Sequence, residues 1–177
     1  MDLRIQRTKH SIINAFIELR SKKTLEKITV KELSELALIN KATFYSHYHD
    51  IYDLSEQLEN EAIDTILENL SHPEEFVTNP KQATETLALA FLSQNKLINI
   101  LFSGTRTFIL VERLEAQIKQ RIYTVYPEYK NNLEWDVLLT FLIQGGFYAF
   151  LSHSKDADNK HLINIVGKIC EHILIFD

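Results

Sequence analysis

Apolar residues recur along this chain at the three-and-four spacing of helices, and the two-residue alternation of half-buried strands is almost absent. Ile12, Ala15, Phe16 and Leu19 share one face of a helix predicted from Thr8 to Lys22. Leu54, Leu58, Ala62, Ile66 and Leu70 repeat at fours along a longer helix, capped by Asp50 and running to about Leu70. Two short helices are predicted between them. The first opens at Thr29-Val30-Lys31-Glu32, a capping box in which the Thr29 hydroxyl accepts from the Glu32 N–H and the Glu32 carboxylate reaches back to Thr29; it ends near Ala37. The second is capped by Asn40 and continues through His47. Residues 71–80 hold two of the three prolines and read as a loop, with Asn79-Pro80 placing proline at the first position of the next helix. Further helices are predicted at about 80–95, 96–103 and 105–126, the last stopped by Pro127, then at Leu133–Ser152 and Asp158–Phe176. The expected fold class is all-α, with about nine helices.

Composition agrees. Four Gly and three Pro leave little turn material for a many-stranded sheet, and 45% apolar with 24% charged residues is ordinary for a soluble globular chain. A single cysteine, Cys170, excludes an intrachain disulfide framework and a multi-cysteine metal site. The N-terminal residues carry no signal-peptide pattern, and no apolar run approaches the roughly 20 residues that span a bilayer. The expectation is a cytoplasmic protein with no membrane partner. Net charge is −5, but it is unevenly spread. Residues 1–50 carry nine Lys/Arg against six Asp/Glu, a net of +3, while the remaining 127 carry ten against eighteen, a net of −8. A basic head and an acidic body suggest a polyanion at one end.

No P-loop, dinucleotide fingerprint, nucleophile elbow or zinc motif is present. His47 and His49 are two residues apart, about 200° round a helix, and cannot share a metal. His161 and His172 share a face but lie roughly 16 Å apart. Ser152-His153-Ser154 lacks an orienting acid in local sequence. The chain is therefore expected to be no enzyme and to hold neither metal nor cofactor.

The second short helix carries the chemistry. Phe44 and Tyr48 sit four apart and would face a core with Phe16, Val30 and Leu33. The other face offers Asn40, Lys41, Thr43, Tyr45, Ser46 and His47, nearly all hydrogen-bond donors and none acidic. Such a face suits phosphate oxygens and base edges in a major groove. Two short capped helices three residues apart form the sequence image of a helix-turn-helix.

The stretch Thr29-Val30-Lys31-Glu32-Leu33, then Ile39-Asn40-Lys41-Ala42-Thr43-Phe44-Tyr45-Ser46-His47-Tyr48, then Asp53-Leu54 resembles the DNA-binding head of the TetR/AcrR repressors over about residues 8–56. The resemblance implies a three-helix head at 1–50 and a dimerisation and ligand-sensing domain at 51–177. It implies that Thr29 and Lys31 contact phosphates, that Lys41, Thr43 and Ser46 approach bases, and that Tyr45 and His47 clamp phosphates. Three positions depart from the pattern. Leu38 stands where the family has a turn glycine, Ala42 at a position often smaller, and Ile51 where a lysine commonly grips phosphate; His49 is its partial substitute. Arg4, Arg7 and Lys9 are expected to add a flexible basic arm.

In the body, Leu133–Leu151 has 13 apolar residues of 19, spread round the helix, so burial on all sides is expected. In so small a chain this calls for a second subunit. Gly145-Gly146 is costly inside a helix, about 1 kcal/mol each against alanine, which suggests close helix–helix approach. The last helix presents Leu162, Val166, Ile169, Ile173 and Phe176 on one side. The family pairs its last two helices as a four-helix bundle, implying a homodimer interface at Leu142, Gly145, Gly146, Ala149, Ile169 and Ile173. Two heads on a two-fold axis would read a palindromic operator in double-stranded DNA. The family's bodies enclose a small-molecule pocket. Phe91, Phe102, Phe108, Tyr123, Phe141 and Gln144 are its candidate lining for a small apolar or aromatic effector, with Arg106 among polar groups nearby in sequence. Two rivals stay open: a helical module whose head docks protein, and a DNA-binding regulator without a small-molecule ligand.

Overall fold

A computed structural model describes residues 3–68, 70, 72–104 and 106–174. The chain is all-helical, with no strand among the described residues. Its α-helices are α1 (Leu3–Arg20), α2 (Val30–Leu36), α3 (Lys41–Tyr45), α4 (Ile51–Glu68), α5 (Glu75–Thr78), α6 (Pro80–Ser93), α7 (Asn95–Leu101), α8 (Arg106–Val125), α9 (Leu133–His153) and α10 (Asn159–Ile173). Short 3-10 turns occupy Leu25–Lys27 and Pro127–Asn131.

The chain divides into two compact units, one of residues 1–62 and 95–107, the other of 63–94 and 108–177. In the first, the helical stripe of α1 buries Ile12 and Phe16 completely with Leu33, Phe44 and Leu54. This unit also takes in α7, which packs on α1. Arg20 at the end of α1 is 4% exposed. Its guanidinium donates to the Leu101 carbonyl and the Ser103 hydroxyl, each at 3.0 Å, and to the Lys23 carbonyl at 3.0 Å. Gly104, with φ of +69°, makes the left-handed turn that follows α7.

Helix α1 starts at Leu3, earlier than the periodicity predicts. Nothing between residues 3 and 8 breaks a helix, and Thr8 donates to the Arg4 carbonyl within it. Arg4, Arg7 and Lys9 are thus displayed on a helix and do not form a flexible arm.

In the second unit α6 and α10 pack closely, and Gly167 is the reason they can. A Cβ there would come within 3.0 Å of Lys81 Cγ and 3.4 Å of the Lys81 carbonyl oxygen. The region read as a loop holds one helical turn, α5, because burying Phe76 to 5% exposure stabilises a segment too short to show a period. Phe176 lies outside the described residues.

The expectation that no segment is long and apolar enough to cross a bilayer is corrected at α9. Its 21 residues meet both criteria, by length and composition only. Its apolar character goes all the way round while 28% of its most apolar window is buried. Its first turn carries Glu134 and Asp136, and Asp136 accepts from Lys119 Nζ at 2.6 Å and from the Tyr123 hydroxyl at 3.0 Å.

Candidate nucleic-acid interface

The local chemistry of residues 29–53 fixes where each helix starts. Thr29 Oγ1 accepts from the Glu32 N–H at 3.2 Å, opening α2. The return half of the expected capping box does not form. Glu32 instead takes the Lys23 ammonium at 2.6 Å, a charge-assisted bond that outcompetes one to a neutral amide. Asn40 Oδ1 accepts from the Thr43 N–H at 2.7 Å and from the Thr43 hydroxyl at 3.0 Å, opening α3. At the start of α4, Asp50 Oδ1 accepts from the Asp53 N–H and Asp53 Oδ2 reaches back to the His49 N–H, both at 2.8 Å. The His49 amide, then the Gln57 side chain, holds the Asp53 carboxyl below its usual range.

Between α2 and α3 the chain makes a two-bond helix stop. The Ile39 N–H reaches the Ser34 carbonyl at 3.0 Å and the Leu38 N–H that of Glu35 at 3.3 Å. The pattern places Leu38 in the left-handed region, at φ +57°. A leucine there is strained by about 1–2 kcal/mol. A glycine would adopt it freely; this chain makes the turn without one.

Burial differs sharply along residues 41–48. Phe44 is fully buried and Tyr48 3% exposed, their ring centroids 5.8 Å apart. Burial pushes the Tyr48 hydroxyl up to about 12. Lys41, Tyr45 and Ser46 are exposed, and Thr43 and His47 half-buried. Tyr45 stands edge-on against Phe44 at 5.5 Å and is 56% exposed. Thr29 and Lys31, at the start of α2, are exposed, with Lys31 4.0 Å from Glu35. No acidic residue interrupts 40–49. The arrangement offers two ammoniums, hydroxyls and an imidazole from one short helix and the start of another, the donor set that phosphates and base edges accept. Ile51 is 5% exposed and joins the core, so this position offers no cation to a phosphate.

In the second unit, the six residues assigned to a subunit interface come together. Leu142, Gly145, Gly146, Ala149, Ile169 and Ile173 line one apolar groove of about 190 Å³ between α9 and α10, with Phe141, Val166 and Cys170. Within one chain neither Gly145 nor Gly146 is needed for helix approach. A Cβ at Gly145 meets nothing, and one at Gly146 would make ordinary contact with Val166 at 3.5 Å and Cys170 at 3.7 Å. Phe141, Val137 and Ile169 stand 62%, 58% and 52% exposed along the same helices.

The six candidate effector residues do not converge. Phe91 lines an apolar cavity of about 40 Å³ among α6, α9 and α10, edge-on to Phe147 at 5.1 Å and Phe150 at 6.1 Å. That is space for about one water molecule. Phe102 is buried in the first unit, and Phe108 is 56% exposed. Tyr123 and Gln144 belong to a polar network of α8 and α9, donating to Asp136 and Glu115. Arg106 is committed to Glu59 within the first unit. Periodicity marks which residues face inward; whether they face a cavity, a core or a polar cluster depends on contacts far along the chain. Among the described residues no group of three or more His, Cys, Asp and Glu side chains is placed to hold a metal ion.

No family model matches the chain. Over 143 residues it is 23% identical to a curated protein of Bacillus subtilis (strain 168) named as the uncharacterized HTH-type transcriptional regulator YxbF. The match covers 71% of this chain and 38% of that protein, so the chain spans well under half the length of its relative.

Proposed function

We propose that this chain is a sequence-specific, double-stranded-DNA-binding transcriptional regulator of the TetR/AcrR type: a cytoplasmic homodimer that represses from a palindromic operator and is released by a small ligand. The observation that carries the reading is the α2–α3 pair. It is capped at both starts, anchored inward by Phe44 and Tyr48, and turns an acid-free face with Lys41, Tyr45 and Ser46 to solvent. The relative named as an HTH-type regulator supports the same class. The groove of α9 and α10 supports the dimer, because a helix apolar all round and mostly unburied within one subunit gains from a mate. The apolar cavity beside Phe91 is the seat assigned to a small apolar or aromatic effector, which would have to widen it. An effector that prefers a state with splayed heads over the DNA-competent one lowers DNA affinity by its preference ratio.

Selection from a random double-stranded DNA library, repeated at several salt concentrations, tests this. Enrichment of an inverted repeat with affinity falling steeply as salt rises is the expected result. Exposed Leu3, Ile5, Leu36 and Leu38 favour the rival in which the head docks protein. That rival predicts weak binding, no enriched motif and a shallow salt slope.

A further inference from the structure

We infer that the turn between α2 and α3 is itself a DNA-reading element, in which Leu38 makes an apolar contact with a thymine methyl at the edge of each half-site, beside a phosphate seat on the first turns of α1. The inference rests on the DNA-binding reading above and adds a specificity residue to it.

Leu38 combines two unfavourable properties. Its backbone is in the left-handed region, and its side chain is 92% exposed, so a large apolar group is held out in water. A strained residue persists where its surroundings over-determine it, and such positions gather at binding sites. The side chain borders an open hollow of about 650 Å³ whose other wall is α1, through Leu3, Arg4, Arg7, Thr8 and Ser11. Two guanidiniums and two hydroxyl groups line it, and no carboxylate does. That rim favours a polyanion over an acidic protein face.

Position selects the duplex edge. Leu38 precedes Lys41 by three residues, so their Cα atoms are at most about 11 Å apart, the length of roughly three nucleotide steps along one strand. A duplex that accepts the start of α3 in its major groove therefore passes within reach of Leu38. An aliphatic side chain forms no hydrogen bond, and the apolar feature of major-groove base edges is the thymine 5-methyl. Arg7, exposed on the opposite wall, meets the phosphate of the same strand.

Parallel selections from random duplex libraries made with thymine, or with uracil in its place, test the inference because uracil lacks only the methyl. The wild-type chain is expected to enrich a thymine next to the Lys41-dependent position from the first library and to lose that preference in the second. Replacing that thymine by uracil in the recovered site should weaken binding about fourfold per half-site, the effect of one buried methyl. Leu38→Gly and Leu38→Asn, both compatible with the left-handed turn, should bind thymine and uracil forms equally. Arg7→Ala should keep the motif and lower the salt slope by about one per head. A wild-type chain that binds both forms equally overturns the role of Leu38, and an unchanged slope in Arg7→Ala overturns the phosphate seat. A wild-type chain that enriches no motif from either library overturns the DNA-binding reading, and this inference with it.

Discussion

Arg106 grips Glu59 with two prongs of its guanidinium, Nε to Oε1 at 2.9 Å and Nη2 to Oε2 at 2.7 Å, across 47 residues of sequence. Ser55 adds a third bond, donating to Oε1 at 2.8 Å. The Glu59 side chain is wholly buried and that of Arg106 20% exposed. A carboxylate out of water is tolerated when its lone pairs are filled with this geometry. Arg20, close by, has its guanidinium pKa lowered by burial and then by the positive charge of Arg106. Together these bonds fasten residues 95–107 to the N-terminal helices of the first unit.

The two halves of that pair should not be equivalent. Arg106→Met strips both guanidinium bonds from a buried carboxylate and should destabilise the chain by about 3 kcal/mol. Glu59→Gln leaves a guanidinium with some access to water and should cost about 1 kcal/mol. Urea unfolding of the two variants reads the asymmetry; equal losses would contradict it.

On the DNA face, Tyr45→Phe and His47→Ala should weaken binding to all sequences alike, by about tenfold, whereas Lys41→Ala should also change which sequence is preferred. Competition titrations against a selected site and a scrambled one separate the two classes. Identical behaviour would remove the assignment of Lys41 to base reading.

Gly146→Leu should break the dimer while leaving a folded monomer, since its side chain would enter the α9–α10 groove. Gly145→Ala meets nothing within the chain and should raise helix stability by about 1 kcal/mol if that face is free, but weaken association if a mate approaches it closely. Light scattering of wild type and both variants at micromolar concentration decides.

The α8–α9 network sets a pH window. Burial opposes the charge on Glu115, but bonds from Lys119, Thr140 and Gln144 outweigh it and lower its pKa. Lys119 and Tyr123 lower that of Asp136. Burial likewise opposes the charge on Lys119, yet Asp136 and Glu115 raise its pKa above 10.5. The carboxylates therefore stabilise the fold above their unfolded values and lose that contribution as pH falls through the lowered folded ones. Lys119 contributes fully below its unfolded value and loses its part as pH rises through the raised one. Lys119→Met should reduce the urea midpoint at neutral pH, with the difference from wild type shrinking towards both extremes. A difference independent of pH would mean the network contributes packing alone.

Replacing Leu38 by Gly should relieve the left-handed strain and raise stability by roughly 0.5–1 kcal/mol after the extra chain entropy of glycine is counted. Thermal unfolding measures it, and no gain would show that the strain does not exceed the entropy that glycine adds to the unfolded chain.

The sequence by itself determined the features that depend on neighbours three or four residues away. The caps at Thr29, Asn40, Asp50 and Asn79 all accept the amide three residues on, because that bond closes within one helical turn. The inward placement of Phe44 and Tyr48 follows their spacing of four and their aromatic character, whereas Lys41 and Tyr45 fall at the same helical spacing, and only the tertiary packing turns them outward. The tertiary structure decided what depends on distant partners. Glu32 had two candidate donors, and Lys23 lies near enough to win it. Helix α7 and Arg106 joined the first unit because Arg20 and Glu59 receive them there, which no local pattern records. Close helix approach fell at Gly167 against Lys81, not within one chain at Gly145-Gly146, because a glycine's use depends on which backbone arrives opposite it. The aromatic residues of the second half had no local signal to sort them between core, surface and cavity, since an apolar face has the same period whatever covers it.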